Sequence, residues 1–356
     1  MKPGISRAAA RALPAGALAV VLLAFAAQAV AAQQYHLARE VPLPGDEGWD
    51  YLTFEDGGHR LFIAHGNEVL VVDTDRFSVV GTVADTPGVH GVALAPDLGR
   101  GYASAGRSGS IVVFDLKTLA RLKEIKATGE SPDAILYDSA THRVFSFNGR
   151  GRNATVVDAK TDEVVGTIPL DAKPEFAAAD GKGRVYVNLE DKNSLAEIDA
   201  QHLTVTQVWP IKGCEEPSGL AMDITGQRLF AGCGNKVMAV IDARSGRTLG
   251  TVPIGEGVDA TKYDSGLRQA FASCGGDAVL TVVGTDAGGA PEVIQSLTTQ
   301  RGARTMALDE HSHRLFLVTA SFGPPPAATA EHPHPRPAIL PGTFRVLVIE
   351  PAKSSQ

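Results

Sequence analysis

Seven short segments of the chain share one pattern and differ at one place. In GWDYLTF, GVHGVAL, SPDAILY, KPEFAAA, EPSGLAM, GVDATKY and GARTMAL the third residue is Asp50, His90, Asp133, Glu175, Ser218, Asp259 and Arg304. All are polar, but the identity changes from copy to copy. If the seven converge, four carboxylates, an imidazole, a hydroxyl and a guanidinium share one small volume. Carboxylates that close repel, so some must be protonated, paired with Arg304 or neutralised by a cation. Oxygen ligands with one imidazole suit a single divalent ion such as calcium, magnesium or manganese, held by Asp133, Glu175, Asp259 and His90. An organic cation or amine meets the same need. Around a metal, His90 or Asp50 would serve as general base and Arg304 would stabilise developing negative charge. A solvated channel mouth also tolerates polar residues of any kind.

The elements that bring these residues together are set by a repeat. Segments ending in a hydrophobic pair and an acid recur: VLVVD at Asp73, IVVFD at Asp115, ATVVD at Asp158, LAEID at Asp199 and MAVID at Asp242, at intervals of 42, 43, 41 and 43 residues. A sixth copy ends at Gly284 and a seventh at Glu350, 66 residues on, which marks an insertion of about 24 residues at 321–344. Each unit reads as four short strands separated by turn residues, as in DAILYD, HRVFSFN, NATVVDA and EVVGTIPL. A period near 42 with four strands is a propeller blade. The segment REVPL, 39–43, matches the fourth-strand pattern, whereas the chain ends soon after the third strand of the last unit. The expectation is an all-β, seven-bladed β-propeller of four-stranded blades, closed by an N-terminal strand that completes the last blade.

Recurrence also separates scaffold from site. The five third-strand acids are expected to bond their own backbone at the following turn. Asp138, Asp180, Asp223, Asp264 and Asp309 close the first strands as hairpin acids, and His59, His142 and His313 are turn residues rather than ligands. The units PDAILYDSATHRVFSFNGRGRNATVVDAKTDEVVGTIPL and VYVNLEDKNSLAEID resemble the YVTN-repeat β-propellers, in particular the YncE-like periplasmic group, over residues 34–356. The resemblance implies the fold; the superfold itself hosts binding scaffolds, lactonases, lyases and redox subunits.

Residues 1–32 read as a Sec signal peptide: Lys2, Arg7 and Arg11 precede an apolar run and small residues at Ala29, Ala31 and Ala32. The expected product is a periplasmic domain, 33–356, with no membrane anchor. Losing the leader moves the formal charge from −7 to about −10. Nucleic acid is therefore not an expected partner, although DNA binding has been suggested within the YncE-like group; the short GRGRN run is read as a solvated loop. In an oxidising compartment Cys214 and Cys233 are expected to form a disulfide, leaving Cys274 as a free thiol. The Pro-rich insertion, with His332 and His334, is expected to fold over the channel mouth. No GxSxG, HExxH or phosphate-loop motif is present, and blades lacking the expected tryptophan disfavour a quinoprotein dehydrogenase.

The leading expectation is a binding or scaffold protein that holds a small ligand or a periplasmic partner's peptide at the channel mouth. The alternative is a metal-dependent hydrolase or lyase similar to the lactonase propellers.

Overall fold

The computed structural model describes residues 1, 33–285, 290–327 and 337–353. The leader expected at 2–32, and His332 and His334, lie outside the described residues.

The fold is a seven-bladed propeller of four-stranded antiparallel sheets. Blades 1 to 6 cover 49–83, 89–126, 132–169, 174–210, 217–253 and 258–298, each running from the channel outward in chain order. Blade 7 is built from Met306–Asp309, Arg314–Thr319 and Arg345–Pro351, and its outermost strand is Tyr35–Pro42 from the other end of the chain. Besides the strands, two single-turn 3₁₀ segments, Pro96–Leu98 and Glu190–Lys192, are described. No described helix is long and apolar enough to cross a membrane.

Burial explains the strand sequences. The second and third strands are sandwiched between neighbouring blades, so RLFIAH and VLVVD are buried on both faces and apolar without alternation. The fourth strands face solvent along most of their length, as in Ser78–Val83. Seven buried apolar clusters are present, one at each of the seven blade interfaces.

Turns are held by the recurring acids. Asp73, Asp115, Asp158, Asp199 and Asp242 each accept hydrogen bonds from the backbone N–H groups two and three residues on. The hairpin acids behave alike: Asp138 accepts from Thr141, Asp180 from Lys182, Asp223 from Gly226, Asp264 from Leu267 and Asp309 from His311. His59, His142 and His313 adopt left-handed turn conformations with φ of 49°, 53° and 60°.

Candidate functional site: the channel mouth

The innermost strands carry the seven polar residues to one end of the channel. In each of blades 1 to 6 the register between first and second strands slips by one residue at this point, for example between Trp49 and Leu52 or between Pro132 and Ile135. The slip is a β-bulge, which leaves one residue unpaired and re-aims its side chain. Asp50, His90, Asp133, Glu175, Ser218 and Asp259 all occupy these bulges. Arg304 stands two residues before the shorter first strand of blade 7.

Most of the ring charges pair with one another. Arg304 donates from Nε to Asp259 Oδ2 at 2.7 Å and lies 3.5 Å from Asp50 Oδ1, and it also donates to the Trp49 carbonyl. Ser218 donates to Asp259 Oδ1 at 3.0 Å. His90 Nδ1 lies 2.6 Å from Asp50 Oδ2, and this bond raises the imidazole pKa to about 9 against the effect of burial. Glu175 is paired with Lys173, 2.7 Å away. Burial pushes the Glu175 and Asp259 carboxyls upward, each further raised by a neighbouring ring carboxylate.

Asp133 is different. Among the described residues its carboxylate accepts no hydrogen bond, and its nearest cation is His90 Nδ1 at 3.8 Å, already committed to Asp50. Burial raises its pKa to about 6, with the Asp50 and Asp259 charges adding to the shift and His90 opposing it.

The ring opens into a cavity of about 600 Å³. Its charged side combines Asp50, Asp133, Glu175 and Asp259 with His90, Arg301 and Arg304; its apolar side is Trp49, Phe322, Pro337 and Ile339. Phe322 and Ile339 belong to the two ends of the insertion, which pair through Gly323 N–H to the Ala338 carbonyl (2.9 Å) and Leu340 N–H to the Ser321 carbonyl (2.8 Å). The insertion leaves between the second and third strands of blade 7, and its described stem forms one wall of the mouth. Trp49 anchors that wall, stacked on Phe344 at 5.5 Å and tilted against Phe322 at 6.1 Å. Gly302, at φ +82°, leaves room there, since a Cβ would stand 2.8 Å from the Phe322 ring.

The structure thus brings six of the seven predicted ring residues to the cavity and sets Ser218 behind Asp259. It regroups the predicted metal set. Asp50, His90 and Asp133 offer ligand atoms within 4.8 Å of one another, whereas Glu175 is occupied by Lys173 and Asp259 by Arg304. Sequence reasoning passed over Lys173 and Trp49, both in the aligned segments beside a ring residue. It also passed over Lys262, which stands three residues after Asp259 where the other blades carry Thr53, Ala93, Leu136, Ala178, Ala221 and Ala307. Comparison of the copies at that position was the available signal. Cys214 and Cys233 form a disulfide with Cα atoms 5.4 Å apart, and Cys274 is free and buried. Burial pushes the Cys274 thiol up to about 12, so it is not a thiolate near neutral pH.

No protein-family model and no curated protein sequence matches this chain. Its likeness to solved structures is one of fold. It aligns over 97% of its length with 98% of a chain in the mitotic checkpoint complex (TM-score 0.72, 14% identity). It aligns over 90% with the whole of the RRP9 WD40 repeats (TM-score 0.72, 10% identity). A chain of Kuenenia stuttgartiensis hydrazine synthase is similar over 77% of this chain and 94% of its own (TM-score 0.67, 17% identity). The neighbours include WD40-type propellers, and such low identities carry nothing about chemistry.

Proposed function

We propose that this chain is an exported, periplasmic binding protein of the YncE-like propeller kind, whose channel mouth seats a small organic ammonium ligand or the amino group of a partner peptide. The observation that carries this reading is Asp133: a part-buried carboxylate without a hydrogen-bond donor among the described residues, facing a cavity with an aromatic wall. Its one nearby cation, His90 at 3.8 Å, makes no hydrogen bond to it, so the carboxylate keeps a desolvation cost that an ammonium group in hydrogen-bond contact reduces. Trp49 and Phe322 offer the apolar and π faces that suit the body of an amine.

Titration calorimetry at pH 8 tests it, with primary and quaternary amines, an N-terminally free peptide and matched carboxylates. Amines are expected to bind, the carboxylates not, and Asp133→Asn to weaken binding at least about tenfold, the scale of a lost charge-assisted contact. Unchanged amine binding by Asp133→Asn would sink the proposal. Because the Asp133 carboxyl takes a proton near pH 6, affinity is expected to fall about tenfold per pH unit below that point.

A second reading rests on the Asp50, His90 and Asp133 cluster: a divalent ion held there, with lactonase-like hydrolysis or lyase chemistry. It predicts one metal ion per purified chain, lost in Asp50→Asn. DNA binding is disfavoured by the formal charge of about −10 left after export.

A further inference from the structure

Tyr51 borders both the mouth and a second chamber farther along the channel, of about 230 Å³. At about 30 Å³ per water this has room for seven or eight waters, or for a ligand of a few carbons. Its walls are mixed: Val92, Ile135, Phe176, Ala307 and Leu308 supply apolar surface, Tyr51, Thr53 and Tyr263 line it with polar groups, and it opens beside the exposed Glu310. One amine faces it. Lys262 Nζ lies 5.1 Å from the centroid of the Phe176 ring, and among the described residues it has neither a hydrogen-bond acceptor nor a carboxylate within ion-pair distance.

The Phe176 ring face is the one favourable contact found for this amine among the described residues. At the same repeat position four blades use alanine, Ala93, Ala178, Ala221 and Ala307, so a small residue satisfies the packing. A part-buried amine held only by a ring face keeps an unmet hydrogen-bonding need, and with Glu310 at its rim the chamber is poorly placed to receive an anion.

We infer that Lys262 is a covalent capture site for small aldehydes and ketones, which it holds as imines in the lower chamber. The lone pair of neutral Nζ adds to the carbonyl carbon. The resulting carbinolamine loses its hydroxyl with one nitrogen proton as water, and a C=N bond to Nζ remains. The step is reversible and needs no oxidant or reductant. Burial supports it by drawing the Lys262 pKa down to about 8, against the opposing pull of the Glu310 charge. Roughly a fifth of the amine is then neutral at pH 7.4, against about one part in a thousand for an ordinary lysine. The other ionisable groups facing the chamber are Tyr51, Tyr263 and Glu310. Burial holds both phenols above their ordinary value, so they stay neutral through this range.

The inference is independent of what the mouth binds. The full chain is incubated with butanal and cyanoborohydride at pH 7.5, and alkylated lysines are quantified by peptide mass spectrometry. Lys262 is expected to be labelled at least tenfold faster than the exposed Lys117, Lys160 and Lys182 in the same sample, with a rate that levels off above pH 8. A pyrenecarboxaldehyde probe, whose four fused rings exceed the chamber, is expected to label the three exposed lysines and spare Lys262. Labelling of Lys262 by butanal no faster than the exposed set overturns the inference, and the comparison needs no variant to fold.

Discussion

Asp133 and His90 sit side by side, and both bind a proton more tightly in the folded chain, with opposite consequences for stability. The folded protein raises His90 from 6.5 to about 9, so it holds a proton there more tightly than the unfolded chain. The stability this contributes is complete below pH 6.5 and is lost as pH rises to 9. With the imidazole about one-third exposed, screening reduces the effect to about 1 kcal/mol. Denaturant midpoints measured between pH 6.5 and 9 are expected to fall more steeply in the native chain than in His90→Asn, in which Glu175 and Lys262 still titrate. Asp133 is also raised, from 3.8 to about 6, but for a carboxylate this means that ionisation destabilises the fold, progressively from pH 4 to 6 and fully above. Asp133→Asn is therefore expected to be more stable than the native chain at pH 8 by about 1 to 2 kcal/mol, while losing the ligand. A destabilised Asp133→Asn protein would mean that Asp133 has a structural partner.

At the scale of elements, the bulge is what turns a strand into a site. A first strand in regular register would alternate its side chains between the two faces of the sheet; the extra residue in blades 1 to 6 aims one polar side chain per blade at the mouth. Blade 5 is held at this end by the Cys214–Cys233 bridge, which ties the connection entering the blade to the end of its second strand. It closes a loop of 19 residues, so Cys214→Ser/Cys233→Ser is expected to lose about 3 kcal/mol in the chain-entropy account, read as a lower denaturant midpoint. The insertion stem contributes Phe322 and Ile339 to the mouth, and Phe322→Ala is expected to weaken amine binding with little change in stability.

At the scale of the molecule, the ring is closed by a strand from one chain end. Tyr35–Pro42 pairs with Arg345–Pro351 through seven residue pairs, and Val41 and Leu43 enter the cluster between blades 7 and 1 that also holds Trp49, Phe316 and Phe344. Removing residues 33–42 would expose Arg345–Pro351 as a free edge and open the wall of the mouth. The truncated chain is expected to unfold at least about 10 °C lower and to associate, because an unpaired strand edge is a template for another chain. A monomer of unchanged melting temperature would show that closure does not depend on this strand.

The seven blades, their four strands, the closing strand and the polar ring were legible in the sequence because each depends on local pattern repeated at a fixed interval. Comparison of copies also separated turn acids such as Asp158 from ring acids such as Asp133, since the former recur as the same acid at one repeat position and the latter vary in type from copy to copy. Partner choice inside the ring was decided by tertiary structure. Pairing there is between blades, and distances between side chains some 40 residues apart follow from blade tilt and bulge geometry, which periodicity does not encode. So Arg304 chose Asp259 and His90 chose Asp50, while within blade 4 Lys173 claimed Glu175, leaving Asp133 without a hydrogen-bond donor and with only His90 nearby. For the same reason the channel itself, with Lys262 set against Phe176 from another blade, emerges only when the ring is closed.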